Sequence, residues 1–201
     1  MAGRGDLEGS QALVLASTSP QRRAILDQLG IPFEFVAPSY QEAGEVGASA
    51  VELVREHARA KARSVAAEFG GRVVLGVDTA VVLEGRVFGK PAEAEEAAEM
   101  LRSLAGRVHE VVSGLCLLGP DFEDVAHEVT AVRFRSFGDG DVARYVASDE
   151  WRGRAGAYAI QGLGASRVER IEGDYLNVVG LPAALLVRLL TSRFPGAHGF
   201  G

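Results

Sequence analysis

Residues 12–37 read ALVLASTSPQRRAILDQLGIPFEFVA. Ala12 to Ala16 is a short apolar run with the length and branching of a buried strand. Ser19 is a natural N-cap, and Pro20 occupies the first helical position, where its missing N–H does no harm. Ile25, Leu26 and Leu29 then share one face, and Gly30 closes the helix. Phe33 to Ala37 is a second strand. A strand, a helix and a strand in immediate succession open an α/β chain.

The same alternation continues outward. Residues 39–47 are polar and contain glycine, as a loop does. Ala48 to Phe69 carries Val51, Val54, Ala58, Ala62 and Val65 at spacings of three and four, the stripe of an amphipathic helix. Val73 to Leu83 is a strongly apolar strand region, interrupted by Gly76 and Asp78. Glu84-Gly85 turns, Arg86 to Phe88 returns, and Ala92 to Leu104 forms a helix closed by Gly106. Extended runs near 107–118 and 124–137, joined through Gly119-Pro120-Asp121, predict a long antiparallel hairpin. Asp139 to Ala147 is helical, 152–166 is a glycine-bearing loop, Ser166 to Ile171 is a strand, and Leu181 to Arg193 is a closing helix. The expectation is α/β with a mixed sheet, one domain over 12–194, and short tails at 1–11 and 195–201.

The chain has 201 residues, 47% apolar and 24% charged, a globular balance with room for a sizeable core. Its net charge of −6 argues against broad nucleic-acid binding but not against a local basic pocket for a small phosphorylated ligand. The single cysteine, Cys116, excludes an intrachain disulfide framework. Apolar runs of about ten residues are too short to span a membrane, and the polar start MAGRGDLEGSQ has no apolar signal core. A cytoplasmic protein is expected. Of 21 basic residues only Lys61 and Lys90 are lysines. Where arginine has replaced lysine so widely, the remaining lysines are candidates for sites that need a compact ammonium.

Three segments could carry chemistry. The first is Ser17-Thr18-Ser19-Pro20-Gln21-Arg22-Arg23, a strand end running into a helix N-terminus. Free N–H groups and the positive dipole end suit phosphate there. Two arginines in a first turn oppose the dipole, so either an anion lies nearby or both are simply solvated. The second is Asp78, a lone acid within apolar sequence, costly to bury unless paired or coordinating. It is a general base, a metal ligand or a turn residue, and Lys90 follows from a position that can bring an ammonium near it. The third is Ala155-Gly156-Ala157-Tyr158-Ala159-Ile160-Gln161-Gly162. Its Gln161 can donate and accept, and so can read a base edge; an ordinary loop is the alternative. His57, His109, His127 and His198 show no metal-ligand spacing and are assigned no role.

Taken together, these segments resemble the Maf family of nucleoside triphosphate pyrophosphatases. The resemblance rests on Ser17 to Arg23, Ala58-Arg59-Ala60-Lys61-Ala62, Gly76-Val77-Asp78-Thr79, Gly89-Lys90-Pro91, Gly106 to Val111, Ala155 to Gly162, and Tyr175 to Pro182, in the family's order. It implies a long mixed twisted sheet with flanking helices, and two lobes around a substrate cleft. It implies hydrolysis of a nucleoside triphosphate to the monophosphate and pyrophosphate with a divalent cation, Mg²⁺ or Mn²⁺. By the same resemblance Asp78 is the proton acceptor or a metal ligand. Ser17, Arg22, Lys61 and Lys90 bind phosphate, joined by Arg154 where the family often has lysine, and Glu42 helps hold the metal. Positions 21, 79 and 161 sort substrates. Thr79 and Gln161 resemble the branch acting on dTTP and UTP. Gln21 departs from both that branch, which has arginine there, and the 7-methyl-GTP branch, which has tryptophan. A preference for dTTP and UTP extending to CTP is expected, with 7-methyl-GTP hydrolysis as the alternative. A homodimer is expected from the resemblance and the long apolar hairpin. A non-catalytic nucleotide-binding regulator of cell division, or a phosphate-binding scaffold, are the competing classes.

Overall fold

The computed structural model describes residues 12–40 and 49–196. The chain runs β1 (Leu13–Ala16), α1 (Pro20–Gln28), β2 (Phe33–Val36), α2 (Ala50–Ala66), β3 (Val74–Leu83), β4 (Arg86–Phe88), α3 (Ala94–Leu104), β5 (Val108–Leu118), β6 (Glu123–Phe134), α4 (Asp139–Val146), β7 (Val168–Glu172), α5 (Tyr175–Val179) and α6 (Ala183–Arg193). One seven-stranded sheet has the order β2-β1-β3-β5-β6-β7, with β4 beside β3. β1 pairs in parallel with β2 and β3, and every other pairing is antiparallel. The α/β class and the mixed sheet with flanking helices are as expected.

Local chemistry accounts for most boundaries. The Ser19 hydroxyl accepts the Arg22 N–H at the start of α1, with Pro20 at its first position. Ser49 and Glu52 form a reciprocal capping box at the start of α2. Glu84 and Gly85 both take positive φ (50° and 80°), the geometry that suits a two-residue hairpin between β3 and β4.

One expectation needs correction, and one element goes beyond those expected. Residues 74–83 are one unbroken strand, buried along almost its whole length, because Gly76 and Asp78 both face α2 and are accommodated by it. Residues 175–179 form α5, too short to show a helical period. The tail at 1–11 and residues 197–201 lie outside the described residues.

The alternation of a strand sorts the core into two faces. On one face of β3, Leu75 and Val77 join β1, α1 and α6 in one apolar cluster. On the same face further along, Val81 and Leu83 join α3, α4, Phe88 and Trp151 in another. On the opposite face, Val74, Ala80 and Val82 pack beneath α2. β3 therefore passes through two cores, and Asp78-Thr79 lies between them.

The β5–β6 hairpin gives no support to dimerisation through an apolar face. Val111, Val112, Leu115, Cys116 and Leu117 are all buried within the chain itself. Burial pushes the Cys116 thiol up to about 12, so it is a core group and not a nucleophile. No helix among the described residues is long and apolar enough to cross a membrane.

Candidate active site

The sheet is split where the site lies. β5 pairs with one edge of β3 from Val74 to Val82. On the other edge β1 pairs only at Val74 and Leu75, and β4 only at Val81 to Leu83. Residues 76–80 have no strand partner on that edge. A cavity of about 710 Å³ opens there, large enough for a nucleotide-sized ligand. It lies beyond the carboxyl end of β1, the usual place for ligands in sheets of this kind.

Close packing of α2 builds the floor. Gly76 and Gly114 face that helix, and a Cβ on either would collide with the Ala58 or Val54 carbonyl. Without those side chains the helix backbone settles onto the sheet. His57 and Lys61, one turn apart on the same helical face, then reach the Asp78 carboxylate. Lys61 Nζ is 2.6 Å from Oδ1 and His57 Nδ1 is 3.3 Å from Oδ2. All three residues are buried, none more than 7% exposed. Burial pushes the Asp78 carboxyl up. The hydrogen bond from His57, the charge and hydrogen bond of Lys61 and the charge of Arg22 together outweigh it and hold the group well below the usual carboxylate range. It stands on the cavity wall as a carboxylate. Lys90, the ammonium expected near Asp78, is exposed and lines the same cavity.

Ser17, Arg22 and Thr79 form a second group. Arg22 Nε donates to the Gly180 carbonyl at 2.9 Å, Nη1 to Ser17 Oγ at 3.1 Å and Nη2 to Thr79 Oγ1 at 3.3 Å. Thr79 Oγ1 is also 2.9 Å from Ser113 Oγ. The two first-turn arginines thus part company. Arg22 turns into the cavity wall, while Arg23 stacks over Phe35 at 4.3 Å and does not line the cavity. The Thr79 hydroxyl is engaged beneath Arg22.

Gln21 and Gln161 both line the cavity, and the Ser19 hydroxyl donates to Gln21 Oε1 at 3.2 Å. Arg154 lines it too, and its Nε is buried without a hydrogen-bond partner among the described residues. Five cationic side chains (Arg22, Lys61, Lys90, Arg152 and Arg154) face two carboxylates, Asp78 and Glu150. A chain of net charge −6 thereby concentrates positive charge in one cleft. Among the described residues no three His, Cys, Asp or Glu side chains gather into a metal site of their own. Glu42 lies outside the described residues.

The cavity therefore brings together every expected site residue that the structure describes. Three residues around it, His57, Glu150 and Arg152, carried no sequence signal. His57 and Lys61 share a helical spacing, but nothing in the chain links that helix face to Asp78. Arg152 and Glu150 sit in ordinary polar sequence.

A family model described as Maf-like protein matches residues 12–193. A dTTP/UTP pyrophosphatase of Nitratidesulfovibrio vulgaris is 45% identical over 191 residues, 94% of this chain and 91% of that protein. A protein of the same name from Symbiobacterium thermophilum is 46% identical over 181 residues, 90% of this chain and 93% of its own length. A third, from Deinococcus radiodurans, is 41% identical over 194 residues, 96% and 98% of the two chains. Matched from its first strand through its last helix, with its motif residues gathered around one cationic cleft, this chain belongs to the Maf family.

Proposed function

We propose that the chain is a nucleoside triphosphate pyrophosphatase that hydrolyses dTTP and UTP to the monophosphate and pyrophosphate. The observation that carries this most directly is the buried carboxylate of Asp78, ion-paired to Lys61 at the floor of a cationic cavity. The names of the relatives support the substrate class.

In this reaction the oxygen of a water bonds to phosphorus as the anhydride bond to the pyrophosphate oxygen breaks. Asp78 receives an O–H of that water, orients it for attack, and takes its proton directly or passes it to solvent. Its low proton affinity makes orientation the larger part of that role. Arg22, Lys61, Lys90 and Arg154 face the triphosphate and balance the charge that collects on the leaving pyrophosphate. Each charge-assisted contact of this kind is worth roughly 1.5–3 kcal/mol. Ser17 orients Arg22.

A divalent cation, Mg²⁺ or Mn²⁺, belongs to this proposal, and the donor chemistry fits it. Mg²⁺ is ordinarily held by one or two carboxylates together with water and substrate phosphates. Asp78 would hold it, with Glu42 as the second carboxylate. Bound there, the ion would neutralise charge on phosphate oxygens.

Gln161 offers a donor and an acceptor to the alternating carbonyl and imide groups of uracil or thymine. Gln21 has no charge to enforce that choice, so turnover extends to CTP, and Gln21→Arg narrows it again. The chain is proposed to act as a homodimer; a sedimentation mass near that of one chain at micromolar concentration would refute this. Pyrophosphate release from dTTP, UTP, CTP and 7-methyl-GTP, with and without Mg²⁺, tests the whole proposal. Tight nucleotide binding without release would overturn it.

A further inference from the structure

The segment bearing Gln161 is tied to the core by Ile160 on one side and continues through two glycines on the other. It reads Ala159-Ile160-Gln161-Gly162-Leu163-Gly164, and Gln161 is exposed at the cavity. A side chain that reads hydrogen bonds must be held in place, because a loose amide can turn over and accept one base edge as readily as another.

Glu150 supplies the anchor. Its Oε1 accepts the Leu163 N–H at 2.9 Å, and its Oε2 accepts the Gly164 N–H at 2.9 Å. On the other side of Gln161, the Ala159 N–H donates to the Tyr145 hydroxyl at 3.0 Å. Glu150 thus holds the flank that follows Gln161, and Tyr145 holds the flank that precedes it. The fit is tight: a Cβ on Gly162 would overlap Glu150 Oε1, and a Cβ on Gly164 would overlap the Ala159 carbonyl. Both carboxylate oxygens accept from this backbone, so Glu150 fixes the turn where it lines the cavity.

We infer that Glu150 is a positioning residue for base selection, acting through the Gln161 turn. This rests on the proposed pyrophosphatase activity and on Gln161 as its base reader. Glu150→Gln keeps the volume but sets an amide N–H₂ against one of the two backbone N–H groups. Gly162→Ala pushes on the same contact and leaves the carboxylate unchanged.

The test is kcat/KM on dTTP, UTP, CTP and 7-methyl-GTP for wild type and both variants, with thermal melting to check that each is folded. The expected result is a fall of about tenfold or more in the preference for dTTP over the disfavoured nucleotides. The fall in kcat on dTTP is expected to be smaller than that change in preference. Should one variant not fold, the other decides. Unchanged preference in a folded variant overturns the inference. So does an equal loss on every nucleotide, which would mark a general structural role, or a wild type with no preference to lose. Absence of pyrophosphate release by wild type would instead overturn the proposed function.

Discussion

Asp78 concentrates three physical effects in one side chain: burial that resists charge, a lysine and a histidine that stabilise it, and a wall position open to a ligand. Asp78→Asn keeps the shape and removes the charge. Turnover is expected to fall about 10²–10⁴-fold, with a lowered melting temperature because the buried Lys61 ammonium loses its partner; retention of more than about a tenth of the wild-type rate in the folded variant would remove Asp78 from the reaction. Lys90→Ala is expected to weaken catalysis more than Arg63→Ala or Arg102→Ala, because those arginines pair with Glu123 and Asp139 on the surface, away from the cavity. Equal effects at all three would end the argument from retained lysines. His109 makes a different, pH-linked prediction. It is buried against Phe134, with Nε2 2.9 Å from the Tyr158 hydroxyl, and burial pulls it down to about 4 from an ordinary 6.5. Between those values the unfolded chain carries a proton that the folded chain does not. Stability from this source is whole above about pH 6.5 and declines toward pH 4 by about 1.4 kcal/mol per pH unit. Urea unfolding at pH 7.5 and pH 5 is expected to show a larger loss in wild type than in His109→Gln; parallel curves would count against it.

At the scale of elements, the site depends on how closely α2 lies on the sheet. Gly114→Val places branched carbons against the Val54 carbonyl and must lift that end of the helix. Overpacking of this kind commonly costs about 1–3 kcal/mol. Here it also carries His57 and Lys61 away from Asp78, so kcat is expected to drop more than the change in stability alone accounts for. A variant that lost stability but kept kcat would show that the helix height does not matter to the chemistry. The same contact explains what was legible in the chain. Capping residues and apolar stripes marked most helices, and Asp78 stood out as an acid in apolar sequence. The continuity of β3 was hidden, because Gly76 reads as a break unless the helix that needs the space is known. The five residues of α5 are too few to show a period. Motif order marked Ser17, Arg22, Lys61 and Gln161. It did not mark His57, 21 positions before Asp78, or Glu150, 13 before Leu163, since such contacts follow from topology and from no local spacing.

At the scale of the whole molecule, the two apolar clusters on one face of the sheet share their strands. Leu75 and Val77 belong to one and Val81 and Leu83 to the other; β5 likewise divides between Leu115 and Leu117 on one side and Val111 on the other. No linker separates them, so neither cluster can lose its strands without exposing the other. The chain is therefore expected to unfold in one cooperative step although its cleft divides it visibly. Leu101→Ala in the α3 cluster and Leu186→Ala in the α6 cluster remove fully buried side chains and are each expected to cost about 2–5 kcal/mol. For a chain of this size that lowers the melting temperature by roughly 5–15 °C, and both variants are expected to shift the same single transition. A substrate that bridges the cleft stabilises only the folded form and raises that one transition for both variants alike. Calorimetry on wild type and the two variants decides the matter. Two resolved transitions, one moved by Leu101→Ala and the other by Leu186→Ala, would show that the lobes fold independently and that β3 joins them without coupling them.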